Sequence, residues 1–356
     1  MKHLLLISTG GTISQEKDAH GIAHPVESKG AEAFSTKLTE IAQTFNIEIV
    51  PRGILNKDSS NITPADWDLM ISTIVNEYED YDAFLITHGT NTLGYTCAAL
   101  SFALGKLGKP VIVTGSQVSY GYPGSDAMMN LENAIRVAAS ERGLLVGVVA
   151  VFGSHIITGV RVKKTTEFEY DAFTTFSSKG SLGRIGRRLR WDKLLLERHN
   201  QFMEPRARSK AELDVRPTFE TDIVSLTEFP GLKSEVFRTL VEGGAKGLIY
   251  RAAGAGDPNV ASATACFENL RDAFEYLREK KIPIVVTTQA AEGVASMDVN
   301  DPGKIAFDLG AIPAWDMSLE AMTIKLAWLL GRGFPYDEIR TLMLYSHRGE
   351  IDPARG

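Results

Sequence analysis

Two apolar runs in this chain break off abruptly into loops of hydroxyls and glycine. Leu4-Leu5-Leu6-Ile7 leads into Ser8-Thr9-Gly10-Gly11-Thr12-Ile13, and Ala83-Phe84-Leu85-Ile86 leads into Thr87-His88-Gly89-Thr90-Asn91-Thr92. Four apolar residues without alternation suit a strand covered on both faces, as in a parallel sheet. Each loop then stands where a buried strand ends and a helix begins. Open α/β sheets place their ligands at that edge. Backbone N–H groups and side-chain oxygens can converge there on a small polar molecule.

The rest of the first half follows the same rhythm. Strands are predicted at 2–8, 46–51, 82–87, 110–115 and 145–152, with helices at 29–44, 64–79, 92–106 and 125–142. This alternation implies βαβ units and a Rossmann-like, mostly parallel α/β sheet. Thr63-Pro64-Ala65-Asp66 is a strong helix start, with Thr63 as cap and proline at the first position. Around 191–220 charges cluster and Pro205 and Pro217 interrupt the pattern, so this stretch reads as a linker. Alternation resumes after it: strands at 222–226, 247–250 and 283–288, helices at 231–243, 262–281 and 318–330. The 356 residues therefore divide into an N-terminal α/β domain (1–190), the linker and a smaller α/β domain (221–356).

A net charge of -6 argues against a general nucleic-acid binder. The basic stretch Arg184–Arg190 reads as a solvated segment or an interface. The first apolar run is too short for a signal-peptide core or a membrane span, so a cytoplasmic protein without a membrane partner is expected. Cys97 and Cys266 form no framework, and no Cys/His cluster has metal-ligand spacing. No cofactor and no metal are expected.

Thr12 and Thr90 each follow glycine, in sterically open loops rich in backbone donors. Taken singly, each would read as a helix cap. As a pair they suggest a hydroxyl nucleophile, which needs a base and donors for an oxyanion. Lys163 and Lys164 follow the strand at 145–152 and can supply the base if a buried site favours the free amine. The turn Asp58-Ser59-Ser60-Asn61 offers hydroxyls for a substrate carboxylate. His88 reads as a packed, hydrogen-bonded histidine rather than as a base.

Thr9–Ile13 together with Thr87–Thr90 resembles the signature pair of the bacterial-type L-asparaginases, the asparaginase/glutaminase family. The resemblance runs over nearly the whole chain. It includes Asp58–Asn61, Gly115-Ser116-Gln117, Gly124–Ala127 with Asn130-Leu131, the Lys164 segment, and Gly310–Pro313 with Asp316–Ala321 near the C-terminus, as in cytoplasmic-type members. It implies hydrolysis of a side-chain amide, L-asparagine to L-aspartate and ammonia, through a threonine acyl-enzyme. Thr12 would be the nucleophile, and Thr90 with Lys164 the second part of the site. Gly11, Gly89, Ser59 and Ser60 would contact substrate, the serines at its α-carboxylate. A homodimer or homotetramer is implied, with Asp257 near where a neighbouring protomer contributes.

Two positions depart from the family pattern. Asn91 stands where the family has an aspartate that faces the substrate ammonium and accompanies the lysine. The exchange keeps shape and removes charge, so Lys164 loses an anion. The loop from Ser14 to Glu27 lacks the tyrosine many members carry, and Ile22 holds the matching place; His20 or His24 is the available substitute. Two alternatives therefore stand beside asparagine hydrolysis. One is an amidase- or lactamase-like reaction on a substrate without a free α-ammonium. The other is a catalytically silent amino-acid-binding homologue.

Overall fold

The computed structural model describes residues 1–10, 15–17, 23–25, 28–141, 143–177, 180–260 and 269–352; side chains between 11 and 35 are outside the description. The chain divides into two compact units, Met1–Pro217 and Thr218–Gly356.

The first unit opens with β1 (Lys2–Ser8), β2 (Gln15–Lys17), β3 (Ala23–Pro25), α1 (Ser28–Thr44), β4 (Ile47–Gly53) and α2 (Pro64–Asn76). It continues with β5 (Ala83–Thr87), α3 (Leu93–Ala103), β6 (Pro110–Thr114), α4 (Ala127–Ala138) and β7 (Gly147–Phe152). Next come β8 (His155–Thr158), β9 (Val162–Lys164), β10 (Phe173–Thr175), β11 (Ser181–Ile185), β12 (Leu189–Trp191) and α5 (Lys193–Gln201). The main sheet has the order β12-β11-β8-β7-β6-β5-β1-β4. From β4 to β7 it is parallel; β8, β11 and β12 extend it antiparallel. Leu4 to Ile7, Ala83 to Ile86 and Val111 to Val113 are almost fully buried. Helices cover both faces, which explains why these strands read as continuous apolar runs.

The register sets the working edge. Ser8 lies opposite Thr87 on one side and Gly53 on the other, and Thr87 lies opposite Thr114. Four connections therefore leave the carboxyl ends of β4, β1, β5 and β6 side by side. Gly10 has φ +98°, and a Cβ there would come within 2.5 Å of the Lys57 nitrogen, so only glycine fits. At the start of α2, the Asp66 carboxylate accepts from the Thr63 N–H and hydroxyl, both at 2.8 Å.

The antiparallel extension was not legible in the sequence. β7 turns directly into β8 through Gly153, whose φ is +53°. The stretch expected as a linker also carries structure. Asp192 caps α5 by accepting from the Leu195 N–H at 3.0 Å. His199 on α5 is buried between the Thr158 hydroxyl and the Val146 carbonyl, and the Ala207 N–H donates to the Lys106 carbonyl. Leu196 and His199 are buried on one side of α5 and Leu195 packs beside them, although the segment's charges hide the pattern.

The second unit has β13 (Ile223–Thr227), α6 (Glu235–Glu242), β14 (Gly247–Ala252), α7 (Arg271–Glu279), β15 (Ile284–Thr288), α8 (Asp301–Asp308), β16 (Ile312–Pro313), α9 (Leu319–Gly331) and α10 (Tyr336–Leu344). Its parallel sheet runs β13-β14-β15-β16. Phe237, Tyr250 and Phe274 pack in its core with their rings tilted or edge-on to one another. Buried Lys325 on α9 donates to the Met343 and Tyr345 carbonyls and pairs with buried Glu350 at 2.8 Å. The C-terminal segment is thereby pinned to α9. Among the described residues no helix is long and apolar enough to cross a membrane.

Candidate active site

Two of the four connections, those after β4 and β5, meet around Thr90, and the end of β9 reaches the same place. The Asp58 carboxylate caps a short turn, Ser59–Asn61, by accepting from the Ser60 N–H at 2.8 Å. That turn and the loop after β5 are clamped together. The buried Ser59 Oγ accepts from the Asn91 N–H at 3.2 Å, and the Thr92 hydroxyl donates to the Ser59 carbonyl at 2.6 Å. Gly89 makes the close approach possible, since a Cβ there would fall 2.6 Å from Ser59 Oγ. Ser59 Oγ thus accepts a bond that holds two loops together and is buried, whereas Ser60 is exposed. The Asn91 Nδ2 donates to Ser60 Oγ at 2.9 Å. The Ser60 N–H and hydroxyl, and the Asn91 amide, hold the Asp58 carboxyl below its usual range against the opposing effect of burial.

Lys164 arrives from the end of β9. Its Nζ donates to Thr90 Oγ1 at 2.8 Å and lies 3.5 Å from Asn91 Oδ1 and 2.7 Å from Glu167 Oε2. Lys163, one residue earlier, points the other way and sits 4.8 Å over the Phe176 ring. The period-two alternation of a strand separates the two lysines. The structure thus brings together Thr90, Asn91, Lys164, Ser59, Ser60 and Gly89. Gly11 and Thr12 lie outside the described residues. Asp257 belongs to the second unit, where its carboxylate accepts from the Asn300 amide at 2.7 Å and the Ala255 N–H at 3.3 Å.

His88 is fully buried and hydrogen-bonded at both ring nitrogens. Trp67 Nε1 donates to the Thr96 hydroxyl at 3.0 Å, which frees the hydroxyl proton for His88 Nε2 at 2.9 Å. His88 Nδ1 then carries the hydrogen and donates to the Gly89 carbonyl at 2.7 Å. Burial pushes its pKa down to about 4, so it is a neutral strut that fixes the loop's carbonyl.

The motifs at 115–117 and 124–130 supply scaffolding. Asp126 accepts from the Gln117 and Val118 N–H groups, and Asn130 bridges the Gly115 carbonyl and the Gly153 N–H. Two contributors escaped the sequence reading. Thr92 is a loop clamp, and Glu167 is the anion beside Lys164. The only sequence signal for Glu167 was its place three residues after the lysine. Among the described residues no cluster of His, Cys, Asp or Glu is suited to hold a metal.

A lysine amine against a threonine hydroxyl, beside a turn of hydroxyls at a sheet's carboxyl edge, can move a proton for acyl transfer. Comparison with known proteins accords with that chemistry. The family description "Asparaginase, N-terminal" matches residues 3–195, and "Glutaminase/Asparaginase C-terminal domain" matches 222–343. The L-asparaginase of Thermococcus kodakarensis is 33% identical, with 98% of each chain covered. A glutamyl-tRNA(Gln) amidotransferase chain of Pyrococcus abyssi is 30% identical over 99% of this chain and 77% of that protein. The crystal structure of L-asparaginase I from Vibrio cholerae superposes with a TM-score of 0.83 at 29% identity, covering 99% of each chain. Both halves match in order and nearly end to end, and the chain therefore belongs to the asparaginase family of amidohydrolases.

Proposed function

We propose that this protein hydrolyses the side-chain amide of L-asparagine to L-aspartate and ammonia, with Thr12 as nucleophile. Thr12 gives up its hydroxyl proton as Oγ adds to the amide carbonyl, the nitrogen takes a proton, the C–N bond breaks to release ammonia, and an ester remains on Thr12. Water then cleaves the ester. Thr90 and Lys164 manage the proton in these steps. The observation that carries the reading is the 2.8 Å contact from Lys164 Nζ to Thr90 Oγ1, on a loop clamped to the Ser59-Ser60 turn. Similarity to L-asparaginases along the whole chain supports the choice of amide.

Position 91 favours a second reading. Asn91 is a neutral amide that donates to Ser60 Oγ, so it offers a substrate ammonium no charge. A substrate without that ammonium then fits the site better. The discriminating assay is ammonia release from L-asparagine, L-glutamine and succinamate, which is asparagine without its α-amine. Turnover of L-asparagine supports the first reading. Turnover of succinamate alone, with Asn91→Asp shifting preference to L-asparagine, supports the second. Ligand-induced thermal stabilisation with no ammonia from any of the three refutes both and marks a silent binding protein.

A further inference from the structure

We propose that Glu167 is the positioning carboxylate of the Thr90–Lys164 pair. The proposal rests on the reading of that pair given above and assigns it a third member that the sequence did not indicate.

Three oxygens surround Lys164 Nζ: Thr90 Oγ1 at 2.8 Å, Glu167 Oε2 at 2.7 Å and Asn91 Oδ1 at 3.5 Å. A neutral lysine amine has two N–H donors and one lone pair. Nζ donates to all three oxygens as it stands; in the free-amine form that the proton step requires, Glu167 and Asn91 Oδ1 keep the two N–H donors and the lone pair faces the Thr90 hydroxyl. The Asn91 amide and the turn that carries Glu167 are both held in place. Asn91 is fixed by its Nδ2 donation to Ser60 Oγ, so its oxygen stays toward the lysine. Glu167 sits on a turn fastened at several points. Thr165 N–H donates to the Ala172 carbonyl, the Phe168 N–H to Thr166 Oγ1, and the Tyr170 hydroxyl to the Gly124 carbonyl.

The proton step then balances. The Thr90 O–H bond breaks, its electron pair stays on the oxygen, and a new N–H bond forms on Lys164. The ammonium charge created there is met by the Glu167 carboxylate. Asp58 cannot take this place, because its carboxylate is engaged by Ser60 and the Asn91 amide. The Lys164 side chain is only 13% exposed, so the pair it forms with Glu167 is shielded at the lysine end.

The test is steady-state ammonia release by the full-length protein and four variants: Glu167→Gln, Asn91→Asp, the double variant and Lys164→Met. Glu167→Gln keeps length and removes the charge. It is expected to lower kcat roughly 10- to 100-fold while KM changes less than about threefold, because positioning rather than binding is lost. Asn91→Asp introduced into Glu167→Gln should recover most of that kcat, since it returns a carboxylate to Lys164 from the other side. The Glu167 side chain is 68% exposed, so the thermal midpoint of Glu167→Gln should match the parent; this separates catalysis from folding. The proposal is overturned if Glu167→Gln retains kcat within about twofold of the parent, or if the two substitutions simply multiply their losses. Lys164→Met tells the two levels apart. Lost activity there with an unaffected Glu167→Gln refutes only this inference, whereas retained activity in Lys164→Met refutes the Thr90–Lys164 reading itself.

Discussion

Replacing Lys325 by methionine tests how the second unit holds its C-terminal segment. The methionine keeps an unbranched chain of similar length and removes the three ammonium donors. Those donors serve Glu350 Oε1 at 2.8 Å, the Met343 carbonyl at 2.8 Å and the Tyr345 carbonyl at 2.7 Å, with both charged side chains at 0% exposure. Breaking one side of a fully buried pair costs about 3–5 kcal/mol, because the other charge stays behind. Here Glu350 still accepts from the His347 N–H at 2.9 Å and the Arg348 N–H at 2.7 Å, which places the expected loss near the lower bound. For a unit of this size each kcal/mol lowers the midpoint by about 4 °C, so a drop of about 12 °C is expected by calorimetry. The double variant Lys325→Met/Glu350→Gln should regain at least half of it, since no charge is then left unpaired. A drop under about 3 °C, or a double variant no better than the single one, would falsify the view that this pair is the anchor.

Gly89→Ala should destabilise the first unit by about 1–3 kcal/mol, because the new Cβ overlaps the buried Ser59 Oγ at 2.6 Å. It should also raise KM for the amide substrate, and an unchanged KM would show that the Ser59 clamp does not shape the site. His88 and His199 are buried neutral in the first unit, with burial pushing both from 6.5 to about 4. The unfolded chain binds protons that the folded one refuses between those values, so stability is full above the ordinary histidine pKa and falls as the solution is acidified toward 4. The loss at pH 5 is about 2 kcal/mol for each histidine, and a urea unfolding free energy that stays level from pH 7 to pH 5 contradicts the assignment. Burial pushes the Glu350 carboxyl up, but Lys325 and the His347 N–H outweigh it and hold the pKa down at about 2. Its contribution is present above about 4.5 and fades below that, so Glu350→Gln should flatten the stability profile of the second unit between pH 4.5 and 2.

The sequence by itself determined the central strands, the edge they present and the chemistry gathered there. β1, β5 and β6 had to be buried because their runs are apolar without alternation, and hydroxyl-glycine loops that follow buried strands leave little choice of edge. The start of α2 was legible for the same reason, because Thr63, Pro64 and Asp66 act within a single turn of chain. Local patterns carry such information. They do not carry the antiparallel strands β8, β11 and β12, whose partners are fixed by pairing across the sheet, nor α5, whose buried face is short and includes the polar His199. The family resemblance named Lys164 rather than Lys163, and tertiary structure supplies the physical reason. The strand's alternation sends Lys163 over Phe176 and Lys164 to Thr90. Tertiary structure alone brought Glu167 onto Lys164, turned Ser59 from a free hydroxyl into a clamp, and fixed the tautomer of His88 through Trp67 and Thr96. Each depends on a contact between segments that the chain brings together only when the sheet has closed its register.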